Sequence, residues 1–220
     1  GNIIGVRQGL EDIPAVMTGS HLDTVSTGGR LDGSYGVLAG LEVVNTLNDN
    51  NIQTKCPIAV AMFTNEEGVR YTPDMMGSLV YVGGLSLNEA LASKGIDGSV
   101  LGEELARIGY AGDMPCGAIT PHAFVELHVE QGPILEKEHV TIGAVENLMG
   151  ISWQEVTILG EANHAGTTPL DLRHDAGLVA ARVISFVREL ATSIGGNQRG
   201  TCGVIEFFPN LINVIPEKAK

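Results

Sequence analysis

Pro57-Ile58-Ala59-Val60-Ala61-Met62-Phe63-Thr64 is apolar throughout and shows no alternation. A strand with one face in water alternates apolar and polar residues, whereas a strand covered on both faces reads as a continuous apolar run. A second short run, Pro14 to Gly19, reads the same way. Between them, Ser34 is placed to cap a helix running to about Asn50, with Val37, Leu38, Leu41, Val44 and Leu47 on one stripe. Strand, helix and strand in this order predict a right-handed βαβ unit. The expected fold class is α/β, a doubly wound and mostly parallel sheet.

Open α/β sheets gather their ligands beyond the carboxyl ends of the strands. Three groups of chemistry-bearing residues stand there. Thr18-Gly19-Ser20-His21-Leu22-Asp23-Thr24 follows the first run, and Arg30-Leu31-Asp32-Gly33 precedes the helix. Asn65-Glu66-Glu67-Gly68 follows the second run. Further on, Ala123 to Glu130 alternates as a strand should, with Glu126, His128 and Glu130 on one face. Each feature also has a plainer reading. His21 is then a loop histidine, Asp32 an anion at a helix start, the glutamate pair solvated, and His128 half exposed. Collected at one sheet edge, His21, Asp32, Glu67 and His128 form a set of candidate metal ligands with Glu66 unspent. Asp23 is close enough to fix the His21 tautomer from behind. Mixed imidazole and carboxylate donors suit Zn, Mn, Co or Ni.

Residues 70–115 read as an excursion, with a capping box at Ser86 to Glu89 opening a helix to Lys94 and a second helix over Leu101 to Ile108. The character changes near Met149-Gly150. A long amphipathic strand is expected over Ile151 to Leu159, then a polar loop, Glu161 to Pro169. A helix over Ala176 to Ile194 should turn Val179, Val183, Phe186, Val187 and Leu190 inward, and strands are expected over Thr201 to Phe208 and Leu211 to Ile215. This order predicts the beginning of a small α+β domain, with boundaries 1–148 and 149–220.

The net charge of −13 over 220 residues argues against nucleic acid, which is bound through Lys and Arg. No apolar run is long enough for a membrane helix, and no signal peptide is visible. Cys56, Cys116 and Cys202 form no CxxC, which predicts reduced, mostly buried thiols in a cytoplasmic protein. The chain begins inside a strand-like run without Met and stops after another, Asn213-Val214-Ile215-Pro216, so an internal piece of a longer protein is expected.

Six ordered motifs carry a resemblance. They are Gly19 to Thr24, Gly28 to Gly33, Asn65 to Gly68, Glu126-Leu127-His128-Val129-Glu130-Gln131-Gly132-Pro133, Asn163-His164-Ala165-Gly166-Thr167-Thr168-Pro169, and Asn213 to Pro216. With them the chain resembles the amidase, hydantoinase/carbamoylase family of dinuclear metallohydrolases, relatives of the aminoacylases and carboxypeptidases. The resemblance implies an aminopeptidase-like catalytic domain carrying an inserted lid and dimerisation domain, both incomplete here. It implies two divalent metal ions, with His21 and His128 on one, Glu67 on the other and Asp32 between them. Glu66 is then the general base, and Gln131, His164 and Asn213 are substrate contacts, His164 acting across a homodimer formed through the lid. Peptidase relatives usually have a carboxylate where His128 stands, so the implied substrates are small ureido acids: N-carbamoyl-L-amino acids, allantoate or 3-ureidopropionate. An aminoacylase or peptidase of the same fold is the nearer alternative, and a degenerate metal-binding module the non-enzymatic one. The family's distal metal-binding histidine and carboxylate-binding arginine lie beyond Lys220, and Glu217 stands where a glycine is common.

Overall fold

The computed structural model describes residues 1–220, which divide into two compact units, Gly1–Ala144 and Val145–Lys220. In the first unit, β1 (Ile3–Arg7), β2 (Val16–His21), β3 (Ile58–Phe63) and β4 (Ala123–Val125) form one sheet in the order β1-β3-β2-β4. The sheet is mixed. β2 runs parallel to β3 and to β4, and β1 runs antiparallel to β3. Helix α1 (Ser34–Asp49) connects β2 to β3 as the expected crossover. Ala15, Met17, Ala59 and Ala61 form a core on the other sheet face, against which Tyr81 of α2 (Met76–Val82) packs. Helices therefore cover both faces, and this is why β3 could dispense with alternation.

Three local expectations change. Ser34 is not the cap of α1 but its first residue; Gly33, at φ 68°, is the cap, and the Ser34 hydroxyl donates to the Arg30 carbonyl. The face α1 buries is Gly36, Val37 and Gly40, whereas Leu38 and Leu41 are exposed. Helix and sheet approach too closely there for larger side chains, since a Cβ on Gly40 would lie 2.9 Å from Thr18 Cγ2 and 3.1 Å from Val60 Cγ1. β4 is three residues long, and Glu126 to Glu130 leave the sheet because each side chain finds its own partner. Ser20 Oγ donates to Glu126, and Glu130 accepts the amides of Ile134 (3.0 Å) and Leu135 (2.9 Å) at the start of α5 (Ile134–Glu138).

The excursion is a small helical subcore. Tyr71, Met76, Ala90, Leu101 and Leu105 are buried together beneath α3 (Leu87–Leu91) and α4 (Leu101–Arg107). The Ser86–Glu89 capping box is present, and α3 ends at Leu91 rather than Lys94.

In the second unit, β5 (Ile158–Leu159), β6 (Phe207–Phe208) and β7 (Lys218–Ala219) form an antiparallel sheet in the order β5-β7-β6. The central strand offers two residues, so pairing on either side is limited to two. The long strand expected from Ile151 is therefore confined to its end, and the expected strands at 201–208 and 211–215 shrink to β6 and a single bridge, His164 to Val214. Helix α6 (Ala176–Ile194) is capped by Asp175, whose side chain accepts from the Leu178 amide at 3.0 Å. It buries Ala176 and Ala180 against Ala219, with Ile158 and Phe207 alongside. Val179, Val183, Phe186 and Leu190, expected inward, are exposed because this sheet is wide enough only for the alanine face. All three cysteines are free; Cys116 and Cys202 are exposed, against the expectation of burial, since both lie in irregular loops. No helix is long and apolar enough to cross a membrane.

Candidate metal centre

β2 delivers His21 to the carboxyl end of the sheet, level with Phe63 of β3, and buries it to 2% exposure. Thr64, Asn65 and Glu66 continue from β3, and their carbonyls accept the amides of Gly77 (2.9 Å), Met76 (3.2 Å) and Met75 (2.6 Å) at the start of α2. That backbone anchorage holds Glu66 and Glu67 beside His21. Gly33 at the head of α1 lets the loop carrying Asp32 lie against the imidazole, because a Cβ there would stand 2.4 Å from the His21 ring.

Both histidines are held the same way. His21 Nδ1 lies 2.8 Å from the Asp23 carbonyl and His128 Nδ1 lies 2.8 Å from the Val129 carbonyl. A carbonyl can only accept, so in the neutral imidazole each Nδ1 carries the proton and each Nε2 presents a lone pair. Those lone pairs converge on Asp32 Oδ1, at 3.9 Å from His21 and 3.0 Å from His128. Asp32 Oδ1 is buried and has no hydrogen-bond partner; neither have Asp23 Oδ1 and Glu67 Oε1. Buried polar atoms left unpaired are costly, and acceptors facing one another are worse. A cation resolves both. Two groups offer ligand atoms within 4.8 Å of one another, His21 with Asp32 and His128, and His21 with Glu66 and Glu67. The donors are borderline imidazoles and hard carboxylates, which fits a divalent first-row metal.

Glu66 Oε2 stands 3.4 Å from His21 Nε2. Burial pushes its carboxyl above the ordinary glutamate range; His21 offsets this, and Glu67, Asp23 and Asp32 add to it. Asp23 stands behind His21, with Oδ1 3.8 Å from Nδ1; the hydrogen bond to the ring comes from its backbone carbonyl, while carboxylate Oδ2 accepts the Glu67 amide at 3.0 Å. Gln131, at φ 54°, donates its side-chain amide to Asp32 Oδ2 at 2.5 Å, so in this structure it serves a ligand candidate.

His164 and Asn213 lie in the second unit, side by side. The Ala165 amide donates to the Asn213 carbonyl and the Ile215 amide to the Asn163 carbonyl, both at 2.9 Å. Sequence reasoning missed the parts played by Gly33 and Ser20. A glycine beside an aspartate was a visible signal for Gly33, and nothing in the sequence marked Ser20.

A family model described as Peptidase family M20/M25/M40 matches residues 17–213. The chain is 46% identical over 219 residues to an N-carbamoyl-L-amino-acid amidohydrolase of Rhizobium meliloti, covering 99% of this chain and 53% of the relative. It is 37% identical over 230 residues to a ureidoglycolate hydrolase of Arabidopsis thaliana, covering 100% and 48%. A crystal structure of an amidase of the hydantoinase/carbamoylase family from Burkholderia multivorans superposes with a TM-score of 0.82 at 44% identity, covering 99% of this chain and 53% of that one. The chain thus spans about half the length of the curated relatives it matches.

Proposed function

We propose that this chain, which belongs to peptidase family M20/M25/M40, supplies the water-activating half of a metal-dependent amidohydrolase acting on the carbamoyl C–N bond of N-carbamoyl-L-amino acids. The observation that carries this reading is the pair of Nε2 lone pairs converging on an orphaned Asp32 oxygen, with Glu66 beside them. His21, Asp32, His128 and Glu67 would hold two divalent ions, Zn, Mn, Co or Ni. Bound there, such ions make water more acidic and polarise a carbonyl.

The remaining chemistry belongs to the protein's own residues. Glu66, whose Oε2 stands 3.4 Å from His21 Nε2, takes a proton from water as the water oxygen bonds to the carbamoyl carbon. As the C–N bond breaks, the same carboxyl passes that proton to the departing nitrogen. His164 donates N–H to the carbonyl oxygen as it gains negative charge, and Gln131 and Asn213 orient the substrate. A homodimer formed through the second unit is part of this reading, supported by the exposed apolar side chains of α6. The lid and dimerisation domain of this reading begins near Met149, a few residues after the division at Ala144 between the two compact units.

The likeness to a plant ureidoglycolate hydrolase favours a second substrate reading, a ureido acid with a hydroxyl on its α-carbon. Ammonia release by the full-length metal-loaded protein, tested on N-carbamoyl-L-amino acids, ureidoglycolate, allantoate and 3-ureidopropionate, decides among them. Metal bound without turnover of any ureido acid would overturn the proposal.

A further inference from the structure

The turn that carries His164 is built around one peptide plane. The Gly166 N–H donates to His164 Nδ1 at 3.1 Å, so Nδ1 is an acceptor and the neutral ring carries its proton on Nε2. The other end of that plane is the Ala165 carbonyl, and Arg173 Nη2 donates to it at 2.6 Å. Arg173 Nε donates to the Thr168 carbonyl at 3.0 Å, across the turn. Thr168 closes the turn by donating its amide (3.2 Å) and hydroxyl (2.8 Å) to the His164 carbonyl.

We propose that Arg173 is a positioning residue for His164, its guanidinium fork fixing the Ala165–Gly166 peptide so that Nδ1 stays occupied and Nε2–H is presented outward as a donor. The peptide unit is planar and rigid, so a group holding its C=O also aims its N–H. A cation on the carbonyl polarises the amide and makes the N–H a better donor. The planar fork suits this task in a way a lysine ammonium does not, because it spans two carbonyls in fixed geometry. Both bonds go to backbone carbonyls rather than to a carboxylate, so the charge is committed to the turn.

The inference rests on the proposed role of His164 as a donor to the substrate oxygen, and two readouts keep the two claims apart. The first is amide exchange in the full-length protein. Arg173→Met should speed exchange at Gly166 and Thr168 by roughly tenfold or more while amides of α6 keep their rates. The second is kinetics in the full-length protein. Arg173→Met should lower kcat by roughly ten- to a hundredfold with little change in KM. Added to His164→Ala, it should cost less than about threefold more, because one pathway is already removed. Arg173→Lys should fall between wild type and Met. It also serves if general loss of α6 protection shows that the Met variant is unfolded.

Unchanged Gly166 exchange in Arg173→Met or Arg173→Lys, or losses that multiply with His164→Ala, would overturn the assignment. A His164→Ala enzyme with full turnover would remove the donor role itself and leave the exchange result to decide the clamp.

Discussion

The end of the β2–β3 sheet and the 163–175 turn both present a histidine, and they do so by opposite constructions. At the sheet end the donors come from four separate stretches of chain, and the convergence leaves buried oxygens of Asp32, Asp23 and Glu67 without partners. In the turn the histidine, its neighbouring peptide, Thr168 and Arg173 are close in sequence, and the ring Nδ1 and the carbonyls of His164, Ala165 and Thr168 are satisfied within it. A site whose parts remain unsatisfied after folding is shaped for something that arrives later. A site that is complete after folding is shaped to hold one group still. The unpartnered carboxylates Asp32 and Glu67 should therefore respond to mutation through metal, whereas Glu66 and the turn should respond through turnover.

The largest effect should come from the adjacent glutamates. In the full-length protein, Glu66→Gln should keep its metals and lose turnover by about two to four orders of magnitude, since an amide cannot carry the proton. Glu67→Gln should lose metal, as seen in metal content after dialysis, because its buried Oε1 has no other partner. Asp32→Asn should lower occupancy of both ions. If Glu66→Gln sheds metal and Glu67→Gln retains it, the two roles are exchanged.

His164→Ala comes next. A donor fixed beside a developing oxyanion is typically worth a hundred- to a thousandfold in kcat, so a loss of about a hundredfold is expected with metal content unchanged. In a heterodimer, a Glu66→Gln chain mixed with a His164→Ala chain should recover partial activity if the histidine serves the partner's site. Mixed dimers that form and stay inactive would confine His164 to its own chain.

The contrast also explains what could be read in the sequence. The βαβ order, the apolar run of β3 and the strand-end position of His21 and the glutamates follow from periodicity and topology, which are written directly in residue order. The Ser86 capping box was legible for the same reason, being a four-residue pattern. What stayed hidden depends on distance between backbones. The side of α1 that packs is decided by Gly36 and Gly40 rather than by the leucines, since the sheet approaches closely. α6 likewise buries alanines and leaves Val179 and Phe186 exposed. The strand expected through Glu126 to Glu130 fails because side-chain hydrogen bonds to Ser20 and to the 134–135 amides outcompete ladder pairing. At the site, the candidate ligands were visible as residue types. The roles of the Asp23 carbonyl, Gln131 and Arg173 are matters of which atom faces which, and composition carries no trace of that.

Stability offers a third test, with two glycines compared. Gly33 sits at φ 68° with the His21 ring where its Cβ would go, so Gly33→Ala combines backbone strain with a clash against a buried group. A loss of about 1–3 kcal/mol in denaturant unfolding of the full-length protein is expected, together with weaker metal binding. Gly166→Ala places its Cβ 3.2 Å from His164 Cε1, where a small ring movement suffices, so it should cost less than about 1 kcal/mol. Equal costs at the two positions would mean that the sheet-end site is no more tightly packed than the turn.

The smallest effect concerns a carboxylate that belongs to neither site and shows what a satisfied one looks like. Asp97 Oδ1 accepts the Ser99 hydroxyl at 2.5 Å and the Ser99 amide at 3.0 Å, and Oδ2 accepts Arg70 Nε at 3.1 Å. These bonds, the Ser99 hydroxyl first, pull its pKa down to about 2. A carboxyl whose pKa is lower folded than unfolded stabilises the fold fully above the unfolded value of about 3.9 and loses that contribution as pH falls toward 2. The group is exposed, so solvent screens most of the interaction. Asp97→Asn should therefore lower Tm at neutral pH by no more than about 2 °C, with the difference from wild type closing as pH falls below about 4. Carboxyl titration followed by NMR checks the cause directly. An Asp97 that titrates near the ordinary value would mean its bonds to Ser99 and Arg70 do not persist in solution, and the contrast with the unpartnered oxygens of Asp32 and Glu67 would then lose its reference point.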